Sequence, residues 1–172
     1  MEVLEAIKGR RSVRSFEDRP VEKEVLVLLM EAGVWAPSGG NAQTWRFVLV
    51  TDKETLRKIK MVSPGLLGRP PAVIVICQDV KEALQKGGTM GSETLTKMDS
   101  AMCAQNIMLT AHSLDLGTCV IASFHPKAVQ ELLSLPAETV PQLLVSVGYP
   151  KRVPSAPKRK TEGIYFFEEY HG

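Results

Sequence analysis

Pro70-Pro71-Ala72-Val73-Ile74-Val75-Ile76-Cys77 is the stretch that decides the fold. The two prolines stop the element before them, and the run that follows carries no polar residue. It is too short for a buried helix and rich in β-branched side chains, so it reads as a strand. A strand wetted on one face alternates polar with apolar, and this one does not. It is therefore a central strand, in a sheet covered on both faces.

Periods on either side of this run place the other elements. Upstream, residues 2–9 form a short amphipathic helix with Val3, Leu4 and Ile7 on one side. A stronger helix over 22–35 carries Val25, Leu28, Leu29 and Ala32, and Pro37 ends it. Trp45 to Thr51 is a strand of β-formers, and Asp52 caps a polar helix reaching Met61. Downstream, Thr96 to Leu116 is the longest helical pattern, with Gly117 expected as its left-handed cap. Strands over 118–122 and 142–148 enclose a helix from Pro126 to Leu133. Gln85 to Thr94 holds three glycines and few apolar groups, which reads as a mobile loop. The interleaving predicts an α/β or α+β sandwich, a central mixed sheet flanked by helices, formed as one domain by residues 1–172. A chain of this length can bury about 70% of its unfolded surface, so it needs no disulfide or metal staple.

Charge is concentrated rather than spread. The net charge is +2, yet residues 10–14 contain three arginines and residues 151–160 contain five lysines and arginines, with no acid in either stretch. In Arg10-Arg11-Ser12-Val13-Arg14, planar guanidiniums that pair bidentately with phosphate oxygens flank a hydroxyl donor. Lys158-Arg159-Lys160 forms a second basic cluster near the other end. An anionic, phosphate-bearing small molecule fits this pattern. Nucleic acid does not, since the basic surface is local and the 6% aromatic content offers few stacking platforms.

Ala36-Pro37-Ser38-Gly39-Gly40-Asn41-Ala42-Gln43-Thr44-Trp45-Arg46-Phe47 is a helix end, a polar glycine-rich turn and a strand entry. Ser38, Asn41 and the exposed amides suit a ribityl or phosphate group, and Gln43 suits an amide-like ring edge. Trp45 anchors the turn from below. Three cysteines, Cys77, Cys103 and Cys119, lie in apolar contexts without a Cys-x-x-Cys pair, which suits a reducing compartment. With no leader-like start and no apolar run of roughly 18 residues, the expectation is a cytoplasmic protein with no membrane span. His112, His125 and His171 share no metal-ligand spacing with cysteine or acidic partners, so no metal is expected.

Arg10-Arg11-Ser12-Val13-Arg14-Ser15-Phe16, followed by Ala36-Pro37-Ser38-x-x-Asn41-x-Gln43-x-Trp45-x-Phe47, resembles the nitroreductase family of FMN-dependent oxidoreductases. Asp99 through Cys119 is similar to that family's long central helix and following strand, and Lys158-Arg159-Lys160 falls at its carboxyl-terminal basic pair. The resemblance spans nearly the whole chain, and the two amino-terminal motifs are the specific ones.

That resemblance implies a nitroreductase-like homodimer with exchanged terminal segments and FMN held between the subunits. Arg10, Arg11, Ser12 and members of Lys158, Arg159 and Lys160 would bind the phosphate, and Arg14 would face the pyrimidine side of the ring. The partner would contribute Pro37, Ser38, Gly39, Asn41 and Gln43, and the strand Val120-Ile121-Ala122-Ser123 would pass the ring with its backbone groups. Electrons would move from NADH or NADPH through flavin N5 to nitro-aromatic, quinone or similar small-molecule acceptors in a ping-pong sequence. No catalytic side chain is required, because the cofactor carries the chemistry.

Three positions depart from the family pattern. Thr44 stands where a proline is usual before Trp45, which implies a looser turn. Ala122 stands where some members carry an acid over the flavin, and no lysine falls in residues 63–69. Two alternatives stay open: a non-catalytic flavin-binding or sensing module, and a cysteine-dependent phosphoanion enzyme using Cys119 and His125.

Overall fold

A computed structural model of the chain describes residues 1–170; His171 and Gly172 lie outside the described residues. The elements, in order, are α1 (Val3–Gly9), α2 (Lys23–Val34), a 3-10 turn (Gly39–Asn41), β1 (Trp45–Val50), α3 (Lys53–Met61) and β2 (Ala72–Asp79). They continue with α4 (Val80–Met90), a π-helical turn (Gly91–Leu95), α5 (Thr96–Ser113), β3 (Gly117–Ile121), α6 (Pro126–Leu132) and β4 (Thr139–Gly148).

The four strands form one sheet in the order β1-β2-β4-β3, so the 72–77 run is interior. Its alternate residues serve two cores. Ala72, Ile74 and Ile76 pack with Leu26 and Leu29 of α2 and with Cys103, Ala104, Ile107 and Ala111 of α5. Val73, Val75 and Cys77 pack on the other face with Ile59 of α3 and Val129 of α6. Burial on both faces is what lets this strand omit polar residues.

The expected mixed sheet is antiparallel at all three strand interfaces. Among the described residues, parallel pairing occurs only as an isolated bridge between Ser12 and Thr118. Asp52 caps α3 as expected, its carboxylate accepting the Thr55 N–H at 2.8 Å.

Two expectations are corrected. Residues 85–94 are helical, with α4 running to Met90 and a π-helical turn leading into α5. Asp79 starts α4 by accepting the Glu82 N–H at 2.8 Å, and Lys86 pairs with Glu82 one turn back at 2.6 Å. The glycines mark a kink, not a loop: Gly88 has φ 59°, while Gly91 brings its backbone against the Ala83 carbonyl, where a Cβ would lie 2.5 Å from the oxygen. Gly117 is likewise not the cap of α5. Asp115 takes the left-handed position at φ 59°, and the Leu116 N–H bonds back to the Ala111 carbonyl at 2.9 Å. Gly117 instead leaves room for Val13, whose side chain a Cβ there would meet at 2.8 Å.

Candidate functional site

The space left by Gly117 positions the amino-terminal basic segment. After α1 the chain runs along the outer edge of β3, with the Val13 N–H donating to the Thr118 carbonyl at 2.8 Å and the Val13 side chain buried. Alternation then carries Ser12 and Arg14 to the other side of the segment. Ser12 is half-buried and Arg14 exposed, its guanidinium donating to the Ser12 carbonyl at 3.3 Å.

The two leading arginines behave differently. Arg11 Nη1 donates to the carbonyls of Lys8, Gly9 and Arg10 at 2.6, 2.9 and 2.9 Å, closing the carboxyl end of α1. Its charge sits at the negative end of the helix, and its donors are directed at the backbone. Arg10 Nε is buried with no hydrogen-bond partner among the described residues. Arg10 as a whole is half-buried, but a guanidinium N–H shut away without an acceptor is costly, so of the two this is the arginine suited to an anion. Thr118 Oγ1, on the strand bridged to Ser12, is a second buried atom without a partner among the described residues.

The polar turn is held from within the body. Asn41 and Gln43 adopt φ of 55° and 52°, a conformation unusual for residues with a Cβ, and Gln43 Nε2 donates to Asn41 Oδ1 at 3.0 Å. The Gln43 N–H donates to Ser38 Oγ at 3.1 Å, so the turn closes on itself. Lys86 Nζ donates to the Ala42 carbonyl at 2.7 Å. Pro37, Asn41 and Gln43 are exposed, while Ser38 and Gly39 are half-buried. Trp45 is buried beneath, as expected of an anchor.

Thr44 does not loosen this turn. Its hydroxyl is buried and donates to Gln78 Oε1 at 2.7 Å; Gln78 Nε2 donates to Ser100 Oγ at 3.0 Å, and that hydroxyl donates to the Thr96 carbonyl at 2.7 Å. The threonine locks the strand entry to β2 and α5. Sequence reasoning also missed Asp99, whose buried carboxylate accepts the Gly39 N–H at 3.2 Å. A lone acid on the inward side of the α5 period was the available signal.

At the end of β3, Ile121 points into a core and Val120 is exposed; just past it Ala122 and Ser123 are exposed, and the Ser123 carbonyl accepts the Gly65 N–H at 2.9 Å. Cys119 is buried and His125 exposed. Burial pushes the thiols of Cys77 and Cys103 up to about 12, which leaves them unreactive at neutral pH.

Lys158, Arg159 and Lys160 are not brought to Arg10 by their own fold. Residues 151–170 are exposed throughout, and these three side chains make no hydrogen bond or ion pair among the described residues. The tail is tied to the body at its root, where the Lys151 N–H donates to the Ser15 carbonyl at 3.0 Å and Phe16 bridges Pro150. Further along, Tyr165, Phe167 and Tyr170 are exposed, and the Phe166 and Tyr170 rings stack with centroids 4.4 Å apart. Between α2 and β1 the body carries an open groove of about 510 Å³ lined by Met30, Val34, Trp45 and Phe47, among others. Beside it Trp35 is 85% exposed.

An antiparallel sheet between two pairs of helices, with a basic segment bridged to its edge strand and a polar turn opening the opposite edge strand, defines an α+β sandwich. The nitroreductase family model matches residues 7–67 and 60–149, and the chain belongs to that family. A relative from Methanothermobacter thermautotrophicus, whose name pairs NADH dehydrogenase with NAD(P)H nitroreductase, is 34% identical over 161 residues, covering 90% of this chain and 80% of that protein. The FMN reductase [NAD(P)H] of Bacillus subtilis is 28% identical over 185 residues, covering 98% of this chain and 74% of that protein. The solved structure of an FMN-dependent nitroreductase from Clostridium difficile superposes with a TM-score of 0.84 at 27% identity, covering 97% of this chain and 99% of that one. No helix among the described residues is long and apolar enough to cross a membrane.

Proposed function

We propose that this chain is an FMN-dependent NAD(P)H oxidoreductase that reduces nitro-aromatic, quinone or similar electron-poor small molecules. The observation that carries the reading is the buried, unpartnered Arg10 Nε, held beside Ser12 on the β3 edge. A phosphate supplies the acceptor that this guanidinium lacks, and the family relationship supplies the phosphate's owner. Bound FMN would carry the redox chemistry, accepting hydride from NADH or NADPH at N5 and passing electrons to a second molecule in a ping-pong sequence.

The chain's own residues bind and orient. Arg10 and Ser12 hold the phosphate, and the exposed Arg14 places its cation at the pyrimidine side of the ring, where negative charge grows on reduction. Arg11 supports them by ending α1. The end of β3 at Val120 and Ile121, with Ala122 and Ser123 just past it, offers backbone donors to the ring.

The working form is a homodimer of one-domain subunits. One subunit's Pro37, Ser38, Gly39, Asn41 and Gln43 reach the cofactor seated on the other, and exchanged tails carry Lys158, Arg159 and Lys160 to the phosphate. A tail exposed from Lys151 to Tyr170, with its aromatics uncovered, supports this arrangement, as does the open groove beside Trp35, whose lining is mostly apolar. Free buried cysteines suit a cytoplasmic setting.

The test is optical. Purified protein supplied with FMN is expected to be yellow and to bleach under anaerobic NADH or NADPH, with colour returning on addition of a quinone or nitro-aromatic. Protein that stays colourless with FMN present rejects the reading. Retained flavin that neither nucleotide reduces would instead favour a cofactor-sensing module.

A further inference from the structure

Among the described residues, Asp99 is the one charged side chain that the protein buries, at 3% exposure. Such a group is expensive unless it is hydrogen-bonded or paired, and an apolar side chain at this point of α5 would pack against the same neighbours without that cost. No cation pairs with it among the described residues. Its partner is a backbone amide sixty residues away, the Gly39 N–H at 3.2 Å.

The surroundings show what this bond controls. A Cβ on Gly39 would lie 2.5 Å from Leu95 Cδ1, so the turn rests directly on the π-helical turn that leads into α5. Its far end is held by Lys86 at the Ala42 carbonyl. Between these two points the backbone takes left-handed conformations at Gly40 and Asn41, and again at Gln43 just beyond. Residues with a Cβ keep such angles only where neighbouring structure over-determines them. Ser38, Asn41 and Gln43 then reach outward from a turn gripped from below.

We propose that Asp99 is a positioning residue for this turn: its carboxylate fixes the Gly39 N–H and so presents Ser38, Asn41 and Gln43 in the one geometry that receives FMN. The inference rests on the reading that the turn helps to hold the cofactor. It assigns Asp99 a role in cofactor affinity rather than in folding.

FMN titration of the flavin-free full-length protein, followed by fluorescence quenching and by the visible band of the bound flavin, tests this. Asp99→Asn keeps an acceptor and is expected to bind FMN within about threefold of the parent, whereas Asp99→Leu removes it and is expected to bind about tenfold or more weakly with an altered band. Gly39→Ala, which displaces the turn without touching the acid, is expected to weaken binding similarly, and adding Leu95→Ala is expected to restore it. A folded Asp99→Leu that matches the parent in affinity and spectrum overturns the proposal, as does equal weakening by Asn and Leu. If Asp99→Leu fails to fold, Gly39→Ala decides, and parent-like affinity there overturns it. A parent that binds no FMN brings down the functional reading and this inference together; a parent that binds, with variants that match it, brings down this inference alone.

Discussion

Arg10-Arg11-Ser12-Val13-Arg14 and Lys158-Arg159-Lys160 are alike in composition and opposite in circumstance. The first lies on the edge of β3, with Val13 buried, Ser12 bridged to Thr118 and one guanidinium nitrogen buried without a partner. The second stands on a tail exposed from Lys151 to Tyr170. Charge alone does not make a site; the backbone must also hold the charged group where its donors cannot reach water. The amino-terminal cluster meets that condition at Arg10 Nε within one chain; the carboxyl-terminal cluster does not, and under the proposed dimer it would meet it on a second copy.

Removing residues 151–172 should break the contrast most severely. The far-UV circular dichroism of the sandwich is expected to persist, since Lys151 to Tyr170 are all exposed and none belongs to either core. Dimer formation and FMN retention on gel filtration are expected to disappear. A truncated protein that still elutes as a yellow dimer would show that the tail is dispensable.

Arg10→Ala comes next. Losing a charge-assisted pair to phosphate is expected to cost about 1.5–3 kcal/mol of FMN affinity, read as a rise in the dissociation constant. An unchanged constant removes Arg10 from the site. Arg11→Ala sharpens the distinction between neighbours: it should lower stability to urea by about 0.5–1.5 kcal/mol through loss of the α1 closure, with FMN affinity affected far less than in Arg10→Ala. If the two affinities fall equally, the division of roles is wrong.

The smallest effect concerns Asp99. Burial raises its carboxyl above the ordinary value of 3.8, against the opposing effect of the Gly39 N–H. The folded protein thus holds this proton at pH values where the unfolded chain has released it, so folding is favoured below 3.8 and loses that advantage as pH rises through the folded value. Asp99→Asn removes the cost of the ionised form. Its melting temperature is expected to exceed the parent's at neutral pH, with the gain shrinking as pH falls toward 3.8. A gain independent of pH would mean that the carboxylate is not the source.

Much of the fold was legible because it follows from short-range pattern. The apolar run at 72–77 announced an interior strand, and it is one, with even and odd positions feeding separate cores. Asp52, Pro126 and the periods of α2 and α5 marked their helices. The glycines misled where they carry packing instead of turning. Gly91 and Gly117 are small so that backbone or side chain can approach, and neither reading can be made without knowing the neighbour. The turn at 36–43 was legible as polar and anchored on Trp45, but the buried Thr44-Gln78-Ser100 bridge that stiffens it was not.

By itself the sequence determined the four strands, every helix except α4 and its π-helical extension, the two-sided core, the polar turn and the two basic clusters, because periodicity and composition are properties of neighbouring residues. Only the tertiary structure decided which arginine lacks a partner, that the 10–14 segment rides on β3 through the gap at Gly117, and that Asp99 reaches Gly39. Each of those rests on a contact between residues far apart along the chain, and a distant contact leaves no imprint on the local pattern of either segment.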